Sequence, residues 1–205
     1  MKRKTMSDIL IVATGNAGKL REIRARLALD GSEIKGLHDL DISINIIEDA
    51  DTFEGNALKK AAAVFEALQL PCLSDDSGLE VDALGGRPGV YSARFGGPDL
   101  SDAERCEFLL EQLAQTPDEH RTARFRAVLA YLALDSSPVY FTGTLEGRIA
   151  EEPSGIHGFG YDPVFIPEGF DRSLAELGPE IKSRISHRTQ ALDKFQAYIR
   201  PAHAQ

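Results

Sequence analysis

The chain has 205 residues, 42% of them hydrophobic, which is enough to bury a sizeable core in one domain or two closely joined lobes. Its 23 Lys and Arg against 32 Asp and Glu leave a formal charge of −9, which argues against a general DNA- or RNA-binding role. A phosphorylated small molecule stays compatible, provided a metal or a local cluster of Lys, Arg and backbone N–H groups overcomes the global field. No apolar run approaches the ~20 residues needed to span a membrane. Cys72 and Cys106 stand apart with no metal-ligand spacing, and read as reduced, buried thiols of a cytoplasmic protein.

Residues 1–6, which include Lys2, Arg3 and Lys4, read as a disordered tail, with a single domain over 7–205. Ile9-Leu10-Ile11-Val12 is a short apolar run rich in β-branched residues, as expected of a buried strand. Lys19 to Leu29 then places Leu20, Ile23 and Leu27 on one helical face. A second helix is expected from Phe53 to Leu68, ending before Pro71. Cys72-Leu73-Ser74 reads as a brief strand entering an acidic turn, with a further strand from Leu79 to Leu84. Asp102 to Leu113 reads as a helix with Phe108, Leu109 and Leu113 inward. Phe125 to Leu134 and Val139 to Leu145 read as strands joined by a hairpin turn over Asp135 to Pro138. A last helix starts near Ser186 and turns Leu192, Phe195 and Ile199 inward. Helices interleaved with strands and a hairpin define an α/β protein with a mixed sheet.

Five segments could carry chemistry. Thr14-Gly15-Asn16-Ala17-Gly18-Lys19 joins a strand to a helix, where glycines admit an anion to the first helical N–H groups and Lys19 adds a point charge. It is not a Walker A loop, because Leu20 stands where a magnesium-binding Ser or Thr would be. A plain strand-to-helix turn explains the same residues. Ser74-Asp75-Asp76-Ser77-Gly78 sets two carboxylates side by side, which suits a hard cation such as Mg²⁺, or equally a solvated turn.

Glu48 precedes the second helix, where Asn56 and Lys60 are four apart and share a face. Glu48 could join a metal site and Lys60 could reach a phosphate; surface roles account for both as well. In Gly158-Phe159-Gly160-Tyr161-Asp162-Pro163, Phe159 offers a flat face to a base and Asp162 an acceptor, although a packed turn would use the same aromatics. Lys182, His187 and Arg188 bring donors to the start of the last helix, which Ser186 can cap.

The wording and order of ATGNAGK, FEGNALKKA, SDDSGLEVDALGGRPGVYSAR, GFGYDPVF and SRISHRTQAL are specific. Together they resemble the inosine/xanthosine triphosphate pyrophosphatases, also called the HAM1-like family, from about Ile9 to Ile199. The resemblance implies hydrolysis of ITP, dITP or XTP to monophosphate and diphosphate with Mg²⁺, by a homodimer. It also implies an elongated α/β fold, with a mixed sheet flanked by helices and an active-site cleft between two lobes.

By the same resemblance, Thr14, Gly15, Asn16, Ala17, Gly18 and Lys19 form the triphosphate-binding loop. Asp76 is general base and metal ligand, Glu48 a second metal position, and Ser77 a substrate contact. Phe159, Gly160, Tyr161, Asp162, Lys182, His187 and Arg188 are base and substrate contacts. Members with two acids near Glu48 differ from this chain, which has Ile47 beside it. Two other readings stay open at this point: a Maf-type pyrophosphatase acting on pyrimidine or modified nucleotides, and a nucleotide sensor without catalysis.

Overall fold

A computed structural model of the chain describes residues 9–27, 33–40, 44 and 46–199. The expected tail over residues 1–6 and the last two residues of the expected first helix, 28 and 29, lie outside the described residues. The strands are β1 (Ile9–Ala13), β2 (Glu33–Gly36), β3 (Cys72–Val81), β4 (Thr122–Leu132), β5 (Val139–Ile149) and β6 (Phe165–Pro167). The helices are α1 (Ala17–Leu27), α2 (Phe53–Leu68), α3 (Asp102–Gln112), α4 (Leu174–Ile185) and α5 (His187–Ile199). The six strands form one sheet in the order β2-β1-β3-β4-β5-β6. It is mixed, as expected: β1 runs parallel to β2 and β3, while β5 and β6 are antiparallel.

The chain divides into two compact units, Met1–Asp76 with Ala127–Thr142 and Gln190–Gln205, and Ser77–Arg126 with Gly143–Thr189. In the first, β1 pairs Ile11 with Cys72 and Val12 with Leu73 on β3. A parallel strand covered on both faces reads as a continuous apolar run, which is why Ile9 to Ala13 shows no alternation. Asn16 starts α1 by accepting the Lys19 N–H on its side-chain oxygen at 2.9 Å. The helix then turns Leu20, Ile23 and Leu27 inward.

Thr52 caps α2 through the Gly55 N–H, and Gln69 closes it in the left-handed conformation at φ 53°. The core of this unit joins Leu10, Val12, Ile23, Leu73, Leu129 and Phe195. On α5 the expected Leu192 and Phe195 are buried, but Ile199 is 45% exposed. Residues 197–199 are all exposed, and in this last turn it is Tyr198, not Ile199, whose ring lies against Tyr131 and Phe141.

In the second unit the core joins Leu79, Val81, Leu109, Phe125, Ile149, Phe165 and Leu174. α3 begins with a full capping box between Ser101 and Glu104. Leu109 and Leu113 point inward as expected, whereas Phe108 is half-buried against the edge of Phe95, and Arg105 and Cys106 take the inner positions. Arg105 is tolerated there because its guanidinium donates to the carbonyls of Phe95, Gly97 and Leu100. The elements β2, β6 and α4 have no counterpart in the sequence reading. α4 hides its pattern behind Gly178 (φ 77°), where a kink precedes Pro179.

Candidate active site

The acidic segment expected as a turn is instead unbroken strand: β3 runs through Ser74, Asp75, Asp76 and Ser77 to Val81. Successive side chains of a strand point to opposite faces, so the two carboxylates do not share a site. Asp75, with its side chain fully buried, meets Lys19 Nζ at 2.8 Å. Asp76 meets Lys60 Nζ at 2.6 Å, and the same ammonium reaches Glu48 at 2.7 Å. Strand geometry is compatible with buried charge here because lysines from α1 and α2 neutralise it.

The segment carrying Glu48 is itself pinned. Asn56, buried on α2, accepts the Ala50 N–H on its side-chain oxygen at 2.9 Å and donates to the Ala50 carbonyl at 3.3 Å. Its spacing from Lys60 was legible in the sequence; this partner was not. At the loop before α1, Thr14 is buried and its hydroxyl accepts the Asn16 N–H at 3.2 Å. Gly15, Asn16 and Ala17 are exposed, and a Cβ added at Gly15 would meet nothing within 4 Å.

The electrostatics of this cluster follow from burial set against pairing. Burial raises the Asp76 carboxyl above its usual range despite the nearby Lys60 and Lys19 ammoniums. Partial burial pushes Glu48 up as well, but Lys60 outweighs it and holds Glu48 below the ordinary value. Burial alone would lower Lys60, yet Asp76 and Glu48 together raise it. One oxygen of Asp76, Oδ2, is buried and has no hydrogen-bond partner. A hard cation would satisfy that atom, and Asp76 with Glu48 supplies the oxygen donors such an ion prefers. Among the described residues no group of three or more His, Cys, Asp or Glu could hold a metal. The remaining ligands would have to be water or substrate oxygens.

The second unit gathers a different cluster around Phe159. Asp162, 2% exposed, accepts the Phe159 N–H at 2.9 Å and Lys182 Nζ at 2.5 Å on one oxygen. Gly158 is required beside it: its φ is 86°, and a Cβ would strike that carboxylate oxygen at 2.0 Å. Lys182 Nζ lies 4.3 Å from the Phe159 ring centroid, and the Arg188 guanidinium carbon 5.9 Å. Arg188 is 2% exposed and donates to Ser77 Oγ at 2.8 Å. His187 is buried and stacked on Phe125, with ring centroids 4.9 Å apart at 15°.

Ser186 caps α5 through the Thr189 N–H at 3.1 Å, as its sequence position suggests, and so fixes the turn that presents His187 and Arg188. Tyr161 is packed in the core beside this turn: it is 4% exposed, its hydroxyl donates to the Ser92 carbonyl at 2.9 Å, and burial raises its phenol. A separate open groove of about 540 Å³ between Arg124, Arg148, Ile166 and Phe170 contains none of the candidate site residues. Arg124 there is already matched by Asp82 and Glu146.

A mixed sheet flanked by helices, bearing one lysine–carboxylate cluster and one cationic aromatic cluster, defines an α/β protein. A sequence model of the Ham1 family matches residues 10–198, and the chain belongs to that family. It is 47% identical over 186 residues to the dITP/XTP pyrophosphatase of Geobacillus kaustophilus, covering 91% of each chain. It is 48% identical over 193 residues to the dITP/XTP pyrophosphatase of Exiguobacterium sibiricum, covering 93% of this chain and 96% of that one. A solved HAM1 protein from Coxiella burnetii superposes with a TM-score of 0.85 at 38% identity, over 93% of this chain and 98% of that one.

Proposed function

We propose that this chain hydrolyses non-standard purine nucleoside triphosphates, ITP, dITP and XTP, to the monophosphate and diphosphate. The enzyme is a nucleoside triphosphate pyrophosphatase. One observation carries the reading: a buried carboxylate, Asp76, is held by Lys60, with one oxygen left over. A sensor has no use for an acid so placed. The likeness to proteins named dITP/XTP pyrophosphatases supports the choice of purine.

In this reading Asp76 orients the attacking water and accepts its proton. Water oxygen bonds to phosphorus, the bond to the α–β bridging oxygen breaks, and diphosphate leaves. Lys19, Lys60 and the N–H groups around Gly15 to Gly18 hold phosphate oxygens and the charge that develops on them. Asp76 and Glu48 would hold Mg²⁺, which supplies charge neutralisation and a more acidic water.

The base is stacked on Phe159. Lys182, His187 and Arg188 donate towards the carbonyl that hypoxanthine and xanthine carry where adenine has an amino group. Each donor left facing an amino group costs about 1–3 kcal/mol, or roughly 5- to 150-fold against ATP. Ser77 acts through its bond to Arg188, and Gly160, Tyr161 and Asp162 shape the turn.

The cytoplasm and a homodimer complete the proposal, on the resemblance and on the buried thiols of Cys72 and Cys106. Among the described residues no helix is long and apolar enough to cross a membrane. A nucleotide panel of ITP, XTP, ATP, GTP, dTTP and UTP, with and without Mg²⁺, tests the function. Diphosphate release from ITP and XTP in Mg²⁺ is expected; turnover of dTTP or UTP instead, or binding of ITP with no turnover, would sink it.

A further inference from the structure

The turn that carries Phe159 is gripped by a helix that none of the site residues belongs to. Gly160 lies at φ 60° and its N–H donates to Asp102 Oδ2 at 2.6 Å. Its carbonyl faces the Cys106 thiol, with sulfur to oxygen at 3.4 Å. Asp102 and Cys106 are four apart on α3 and therefore share one face of it. A single face of one helix thus holds both polar backbone groups of one residue.

The bond from Asp102 is not needed to start the helix, since Ser101 and Glu104 already complete the capping box. The Cys106 thiol is 1% exposed; burial first, then the charges of Asp102 and Asp162, push it up to about 12. It therefore keeps its proton and can donate at neutral pH. The N–H of Gly160 is part of the peptide unit that joins it to Phe159. The direction of that N–H is tied to ψ of Phe159, and so to where the Phe159 Cα–Cβ bond points relative to the held peptide. A glycine at positive φ has alternative conformations that a side chain would forbid, so an external grip has something to select.

We propose that Asp102 and Cys106 are positioning residues that fix the Gly160 peptide, and so hold the Phe159 side chain at the place from which its ring stacks on the substrate base. This rests on the base-stacking role of Phe159 proposed above. Neither residue touches substrate; both act through Gly160.

The test is steady-state kinetics with ITP and Mg²⁺ on the full chain and on Asp102→Ala, Asp102→Asn, Cys106→Ala and Phe159→Ala. Asp102→Ala is expected to raise KM about tenfold with kcat within about twofold, the size of a hydrogen bond to a charged group. Asp102→Asn keeps an oxygen acceptor and loses the charge, so its KM should return to within about threefold of the parent. If Asp102 served only the helix dipole, the Asn and Ala variants would behave alike, and that result overturns the clamp. Cys106→Ala should raise KM by about twofold to threefold, because a thiol is a weak donor. An unchanged KM in Asp102→Ala alongside a raised KM in Phe159→Ala overturns the clamp and leaves the stacking intact. An unchanged KM in Phe159→Ala overturns the stacking itself, and the clamp with it.

Discussion

The two units handle charge in opposite ways. In the first, carboxylates buried on β3 are each matched by a lysine from a separate helix: Asp75 by Lys19, Asp76 by Lys60. In the second, cations collect at an aromatic face, and one carboxylate, Asp162, ties Lys182 there. In the proposed mechanism the first arrangement stores electrostatic potential at the reacting centre, and the second fixes a shape and a set of donors. Charge changes in the first unit should therefore alter rate, and shape changes in the second should alter which base is accepted.

The largest effect is expected from Asp76→Asn. It removes the proposed proton acceptor but keeps the size of the side chain, so kcat should fall by at least about 100-fold. A denaturant midpoint close to that of the parent would show that the fold survives. Lys60→Met should lower stability as well as rate, because it also takes from buried Asp76 its nearest countercharge. A loss of about 3–5 kcal/mol in urea unfolding is expected.

Phe159→Ala sharpens the other side of the comparison. Loss of a stacking face costs about 1–3 kcal/mol per base, so KM for ITP should rise roughly tenfold while kcat changes little. Ser186→Ala removes the cap of α5 and should cost about 1 kcal/mol, read from thermal melts.

The smallest effect concerns pH. The Ser154 and Ser173 hydroxyls and the Ser173 N–H hold Glu176 below its ordinary carboxylate range. A group depressed on folding stabilises above its unfolded value and loses that contribution as pH falls through the folded one. Melting temperature should therefore drop slightly below about pH 4.5, and Glu176→Gln should flatten that drop.

Local patterns were legible because they are local. The apolar run of β1, the face of α1, the limits of α2 and the cap at Ser186 all follow from residues within a few positions of one another. The acidic segment was misread as a turn for the converse reason. Two adjacent aspartates look costly in a strand until Lys19 and Lys60 arrive from α1 and α2, 56 and 16 positions away respectively, the latter being the separation of its hydrogen bond. Similarly, the hydrogen bond that anchors Tyr161 in the core goes to the Ser92 carbonyl, 69 positions distant, and no local pattern announces it. α4 was hidden by Gly178 and Pro179, which break helical periodicity in the sequence and produce a kink in the chain. The family motifs were legible as wording, but the division of Asp75 from Asp76 required the pleat of β3.

The most direct measurement compares kcat/KM for ITP and for ATP in Asp76→Asn and Arg188→Lys side by side. Asp76→Asn should depress both nucleotides together and leave their ratio within about twofold, since both need the same water activated. Arg188→Lys loses part of its donor set and should cut the ITP-to-ATP ratio about tenfold or more, with kcat on ITP largely kept. A ratio that shifts in Asp76→Asn, or an Arg188→Lys enzyme slowed equally on both nucleotides, would contradict the division between rate in the first unit and base choice in the second.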